Sequence, residues 1–394
     1  MKDYQKIILV IILILICILI GKGRSNSEKN EKMSYTYTKK KDYFFQPQTN
    51  WASYKDKIKV KGIYITGNTA GFKEKFNKLI KFINETEVNA VVIDVKDDTG
   101  ELTFDLDIKL AQEVGACENI KVKDLNEFMD ILRKNNIYPI ARIVTFKDRL
   151  MALKRPDLSI KSKNGKVWLD NKGDAWLNPY NKESWEYPVE IAEKVALMGF
   201  KEVQFDYVRF PSDGNVKNID YGKGTEGRNM AQVIGEFLQY ARQRLEPLGV
   251  YVSADIFGLV TTSSGDMGLG QSLEILANSV DILCPMVYPS HYYLGTYGIK
   301  YPNSQPYAIV NRSLETAQNR IKNMKSERKS IIRPWLQDFS APWLKKEYGT
   351  NYRTYGPDEI NKQKKACYDN NIEEWIFWNA SNNYTKSAYL RENN

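Results

Sequence analysis

The sequence predicts an α/β fold: a (β/α)8 TIM barrel forming a single domain over residues 58–394, behind an N-terminal membrane anchor. Three observations predict it. Eight short β-branched runs alternate with longer stretches of helical period, as parallel strands joined by crossover helices do. The runs are almost continuously apolar, as strands covered on both faces are. The segments after the third, fourth and sixth runs are long and rich in Trp, Tyr, Gly, Asn and Pro. That composition suits the βα loops that build a site at the C-terminal face of such a barrel.

Taken in chain order, the first element is the apolar run from Ile7 to Ile20, preceded by Lys2 and Lys6 and followed by Gly21, Lys22, Gly23 and Arg24. This is the layout of an export signal. It is shorter than the roughly 20 residues that span a bilayer comfortably. No small-x-small cleavage site follows, and Ile16 before Cys17 does not fit a lipoprotein box. Residues 1–21 are therefore expected to stay as a single-pass signal anchor in the cell membrane, with the barrel on the extracellular side. Lysines flank both ends, so charge alone does not fix that orientation. Residues 22–57, rich in Lys, Ser, Asn and Glu without apolar period, form a polar linker.

The predicted strands are VKGIYIT (60–66), NAVVIDV (89–95), YPIARIV (138–144), EVQFDYV (202–208), YVSADIF (251–257), VDILCPMVY (280–288), SIIRPWL (330–336) and EWIFWNA (374–380). Between them KEKFNKLIKFINE, LNEFMDILRKN, NMAQVIGEFLQYARQRL and DEINKQKKACYDN carry apolar residues at three and four spacing, which predicts helices. The loop aromatics Trp168, Trp176, Tyr292, Tyr293 and Tyr297 would then rim a cleft, or pack the loops onto the barrel.

Composition narrows the chemistry. Hydrophobic residues make up 42% and charged residues 27%, ordinary globular usage. The formal net charge is +9, but the lysines are dispersed and no arginine-rich run occurs, so no nucleic-acid partner is expected. His291 is the one histidine, and Cys17, Cys117, Cys284 and Cys367 lie far apart. That leaves little for a zinc site, a histidine triad or a disulfide framework, and no cofactor or metal is expected. Carboxylates remain as the main proton-transfer groups.

Carboxylates at the C-terminal ends of strands point into the mouth of a barrel. Asp94 with Lys96, Asp97 and Asp98, then Asp206, Asp255 and Asp338, hold such places. Asp206 and Asp255 lie inside apolar runs, where burial is costly without a partner, and adjacent strands would bring them into one site. A facing pair of carboxylates is what glycosidic bond cleavage requires. Arg142 and Arg209 are placed to hold one of them ionised, with Tyr207 orienting it, unless Arg209 and Asp206 form a structural ion pair.

The segments KGIYITGNT, AVVIDVKDDTGELTF, YPIARIVTFKD, WLNPY, VQFDYVRFPSDG, SADIFG, CPMVYPSHY and RPWLQDF together resemble the glycosyl hydrolase domain family DUF4015. The resemblance implies a barrel similar to α-amylase-like glycosidases. There the nucleophilic aspartate ends strand four and the acid ends strand five, which places these roles on Asp206 and Asp255. Amylase-type sites carry Arg two residues before the nucleophile, a glutamate acid and a histidine–aspartate pair after strand seven. Gln204, Asp255 and Gln337-Asp338 stand there instead, so amylase specificity is not implied. Substrate-binding candidates are Asp94, Lys96, Asp98, Arg142, Asn178, Tyr207, Arg209, Tyr288, His291, Trp335, Gln337, Asp338, Trp378 and Asn379.

The expectation is an extracellular glycoside hydrolase acting on a polysaccharide. The alternatives are a catalytically inert carbohydrate-binding barrel serving as an envelope scaffold, and a divalent-cation site built from Asp94, Asp97 and Asp98.

Overall fold

A computed structural model describes residues 58–391, apart from 226 and 327. Eight parallel strands close into a barrel. They are β1 (Lys61–Ile65), β2 (Ala90–Lys96), β3 (Tyr138–Val144), β4 (Glu202–Asp206), β5 (Tyr251–Phe257) and β6 (Ile282–Met286). After these come β7, in two pieces (Ile331–Ile332 and Trp335–Gln337), and β8 (Trp375–Trp378). The ring closes because β8 pairs with β1, Lys61 opposite Trp375, and both pieces of β7 pair with β6. Every predicted strand run overlaps one of these strands, β2 and β7 each running one residue past it.

The principal helices between them are α1 (Lys73–Asn84), α2 (Leu125–Lys134), α3 (Glu183–Leu197), α4 (Met230–Leu245), α5 (Leu273–Ala277), α6 (Pro306–Lys322) and α7 (Pro357–Asp369), with shorter helical turns in the loops. Their starts follow from local chemistry. Asp124 accepts the Glu127 amide at 2.8 Å to open α2, and Asn229 with Gln232 forms a reciprocal capping box on α4. The eighth crossover helix of the expected fold has no counterpart: no α-helix follows β8 among the described residues. A 3-10 turn, Lys386–Ala388, swings the chain back instead, and Tyr389 packs against Phe82, Trp375 and Phe377 to cover that side. A strand needs an apolar cover, and a tyrosine-led coil supplies it here.

Two apolar layers result, one on each face of the strands. The outer layer joins Ile63, Ile93, Ile143, Phe205 and Ala254 to the helices, and the inner one holds Tyr64, Val92, Ile140, Cys284 and Trp335. Inside the barrel the period of two brings polar groups in register: Glu202, Gln204 and Asp206 from β4, Ser253 and Asp255 from β5. At the N-terminal end, Arg333 from β7 bonds Glu202 at 2.7 and 2.8 Å and Glu374 at 2.8 Å, all three buried. At β5's end, Gly258 leaves room for the next loop, since a Cβ there would fall 2.4 Å from the Tyr292 hydroxyl.

No helix among the described residues is long and apolar enough to cross a membrane. The anchor at 1–21 and the linker at 22–57 lie outside the described residues.

Candidate active site

The register of β4 against β5, Gln204 opposite Ser253 and Phe205 opposite Ala254, runs on to set Asp206 beside Asp255 at the mouth. Parallel neighbours are about 4.8 Å apart in this direction, so the two side chains share one small space. Both are buried, Asp255 to 1% exposure.

Their surroundings differ. Arg142 on β3 donates through Nε and Nη2 to Asp206 Oδ2, at 3.0 and 2.6 Å, and through Nη1 to Asp94 on β2. Asp94 also accepts the Tyr64 hydroxyl from β1, so one guanidinium ties together carboxylates from two strands. The backbone amide of Tyr207 donates to Asp206 Oδ1 at 2.6 Å. Tyr207 takes a left-handed φ of 48°, a costly backbone for a tyrosine, right after the catalytic candidate. Among the described residues Asp255 has a single side-chain donor, Trp335 Nε1 at 2.6 Å from Oδ1. Burial, and then the negative charge of Asp206, push the Asp255 carboxyl well above the ordinary carboxylate range. Burial raises Asp94 too, opposed by Arg142.

Aromatic rings wall the mouth. Tyr64 stacks on Trp378 at 3.8 Å, Trp335 meets Trp378 edge-on at 5.7 Å, and the Arg142 guanidinium lies 5.5 Å from the Trp378 ring. The Tyr288 hydroxyl is raised by burial and by the charges of Asp255 and Asp206. His291 sits at the rim, its Nδ1 3.0 Å from Ser290 Oγ and its ring 5.3 Å from Tyr288.

Asp94, Arg142, Asp206, Asp255, Tyr288, Trp335 and Trp378 thus come together, with Tyr207 and His291 beside them. Others point elsewhere. Arg209 does not pair with Asp206; it bonds Phe210 O and Ser212 Oγ and lies among the rings of Trp176, Tyr207 and Phe257 at 5.0, 5.0 and 4.7 Å. The suggested Arg209–Asp206 ion pair is therefore corrected, because Arg142 from the neighbouring strand takes that place. The same guanidinium answers the Gln204 departure: Gln204 lies a layer deeper, donating to Cys284 Sγ at 3.1 Å.

Lys96 is turned away from the mouth. The β2–β3 register slips between Asp94 and Lys96, so Lys96 lies opposite the outward Ile143, and its ammonium pairs with buried Asp148 at 2.7 Å under the Tyr187 ring. Asp338 accepts from Thr385 N, Thr385 Oγ1 and Tyr389 Oη at 3.0, 2.8 and 2.8 Å, which makes it the clamp on the C-terminal coil. Gln337 bonds Ser290 N, Asn303 Oδ1 and Phe339 O. Asn178 bonds Tyr221 O and Tyr180 N, and Asn379 bonds Asn383 O and Ser381 N. These amides brace loops. Asp98 is exposed and pairs with Lys147 at 3.3 Å, while Asp97 Oδ1 accepts the Thr99, Gly100 and Glu101 amides. Asp94, Asp97 and Asp98 are thus engaged separately, and no group of three metal-ligating side chains occurs among the described residues.

The expected aromatic rim is also corrected. Trp168 and Trp176 are buried and donate to Asn215 O and Asp170 Oδ2, and Tyr292 is buried with its hydroxyl on Ser313. Two-ended side chains of this kind fix a loop once their polar tip finds a partner. Tyr293 is exposed and Tyr297 half-buried. Tyr64 and the loop aromatics Phe339 and Trp343 were missed. The inward parity of Tyr64 in KGIYI would have found the first; nothing in DFSAPWLKK marked the others.

By fold, the chain is similar to the glycoside hydrolase domain of PgaB (BpsB) from Bordetella bronchiseptica, at 12% identity and a TM-score of 0.58, covering 82% of this chain and 94% of that one. A hypothetical protein from Ruminiclostridium thermocellum ATCC 27405 is 41% identical, covering 49% of this chain and 96% of its own, with a TM-score of 0.46. No curated protein matches in sequence. Residues 62–384 match the family described as "Putative glycosyl hydrolase domain", DUF4015, and the chain belongs to that family.

Proposed function

We propose that this chain is an extracellular glycoside hydrolase that cleaves a polysaccharide with two carboxylates, Asp206 facing the anomeric carbon and Asp255 donating the proton. One observation carries the reading: two carboxyl groups side by side on β4 and β5, one matched by a guanidinium and an amide, the other dry and raised. Such a split separates acid from nucleophile or base. In the reaction the glycosidic C–O bond breaks as the Asp255 proton passes to the leaving oxygen, while Asp206 attacks or activates water at the anomeric carbon. Arg142 holds Asp206 and Asp94 in place, and the Tyr64–Trp378 stack offers a face for a sugar ring. The apolar run at 7–20 supports export and membrane attachment. The direct test incubates the protein and its Asp206→Asn variant with cell-wall and capsular glycans. Cleavage by the first alone supports the reading, and cleavage by neither sinks it. A second reading, a glycan-binding barrel without turnover, is favoured by the Arg142 clamp on Asp206 and the 1% exposure of Asp255. Binding without cleavage would establish it.

Asp255→Asn keeps an oxygen for Trp335 and removes the proton. An activated aryl glycoside, needing no acid help, should then suffer a much smaller defect than a natural glycan, which general acids assist by about 10²–10⁴-fold. Equal defects on both substrates would remove the role from Asp255.

The same carboxyl fixes a pH dependence. Its value in the folded protein lies well above the ordinary 3.8, so the folded state holds this proton more tightly than the unfolded chain. The stability that this adds is full below the unfolded value and lost as pH rises through the folded one. Wild type should therefore lose melting temperature relative to Asp255→Asn as pH rises above about 4. The fall in kcat/KM comes later, only as pH passes the folded value and the acid ionises in the native enzyme, a limb absent from the variant. Parallel melting curves across pH would contradict it.

A further inference from the structure

From the carboxylate pair a strip of aromatic rings leads outward along the loops after β6 and β7. It starts at buried Tyr288, which feels the charges of Asp255 and Asp206. Its ring lies 5.3 Å from His291 and 6.1 Å from Phe339, and Phe339 stacks against Trp343 at 6.3 Å with 28° between the planes. Trp343 is 60% exposed, a high value for an indole, and stacks on the Phe339 ring.

The two loops are knitted together, so the platform is held. Asn303 N donates to the Tyr348 hydroxyl at 3.2 Å, the Tyr355 hydroxyl donates to Asn303 O at 3.0 Å, and the Tyr301 and Tyr348 rings are 5.3 Å apart. Charge on these loops, residues 288–305 and 338–356, is one-sided. Lys300, Lys345, Lys346 and Arg353 are exposed, and none forms an ion pair among the described residues. Lys300 and Lys345 lie over tyrosine rings instead, at 5.3 and 5.6 Å. Of the two acids there, Asp338 is buried in its clamp, and Glu347 alone faces solvent.

We infer that this strip is a binding track for an anionic glycan chain, one bearing carboxylate or phosphate groups, which stacks a sugar on Trp343 and sets its acidic groups against the four cations. The inference rests on the reading of the β4–β5 pair as a hydrolytic centre, since the track leads to it. A sugar has an apolar C–H face and a polar edge, and an exposed indole flanked by cations matches both. An apolar protein partner would call for a wider uncharged patch.

The test is affinity electrophoresis of the Asp206→Asn protein, which cannot consume the ligand, through gels containing polygalacturonate, a phosphate-bearing teichoic acid, or neutral xylan. Retardation by a charged polymer and not by xylan is expected. The carboxylated and phosphorylated gels show which source of anion is recognised. Trp343→Ala, at an exposed position where folding is not at stake, should weaken retardation about tenfold. Lys345→Glu with Lys346→Glu should do the same, and salt should weaken the parent. No retardation in either charged gel, equal retardation by xylan, or retardation indifferent to Trp343→Ala would each overturn the inference. Loss of the hydrolytic reading would look different: charged glycan held on the track by the wild type, and left uncut.

Discussion

Asp206→Asn should lose turnover by at least about 10³-fold while keeping most of its affinity for glycan. Asparagine preserves size, and its one oxygen can still accept from Arg142, while its NH2 takes the place of the oxygen that accepts the Tyr207 amide. What disappears is the charge that the proposed mechanism sets against the anomeric carbon. Arg142 keeps Asp94 as its partner, so the guanidinium is not stranded. Steady-state kinetics on the cleaved glycan, beside calorimetric binding and a thermal melt, check this. A purely structural Asp206 predicts the reverse: a loss of stability of about 3 to 5 kcal/mol, with turnover and binding falling together with the folded fraction.

The largest effect on stability is expected at the opposite end of the barrel. Arg333→Met leaves Glu202 and Glu374 facing each other in a sealed interior with no positive charge between them. Removing one partner from a buried ion cluster costs about 3 to 5 kcal/mol, and denaturant unfolding should show a midpoint lowered to match. Since the cluster lies at the N-terminal end of the barrel, the folded fraction of the variant should keep wild-type kcat. A variant as stable as wild type would show that both glutamates take up protons cheaply. The triple variant with Glu202→Gln and Glu374→Gln should recover much of the loss, because it removes the unpaired charges.

The barrel was legible because each strand is a short β-branched run with helical sequence beside it, and both signals are local. The β4–β5 pair was legible for a related reason: an aspartate inside QFDYV or SADIF conflicts with its neighbours, and such conflicts mark function. Orientation was less so. Lys96 reads as an inward strand-end cation until a one-residue register slip turns it outward, and that slip is set by pairing with β3. Gln337, Asp338, Asn178 and Asn379 stand at the right height for a site, but their partners lie far along the chain: Asp338 clamps Thr385 and Tyr389, and Gln337 reaches Ser290 and Asn303. Trp176 and Trp343 look alike in sequence, and only tertiary packing hides one and exposes the other.

A closed sheet has no edge, yet its ladder is unevenly bonded. In β7, Arg333 and Pro334 interrupt the strand, and proline offers no amide, so contact with β6 rests on few bonds, among them Ile331 N to Asp281 O and Arg333 N to Leu283 O. If the ring breathes, it should part there first, and native-state hydrogen exchange should find the β7 amides less protected than those of β2 and β3. The consequence reaches the chemistry, since Trp335, whose indole donates to Asp255, rides on the same strand. Each transient parting would let water reach the buried Asp255 carboxyl, and Arg333, bridging the ring's interior from that strand to β4, is the staple that keeps such partings rare.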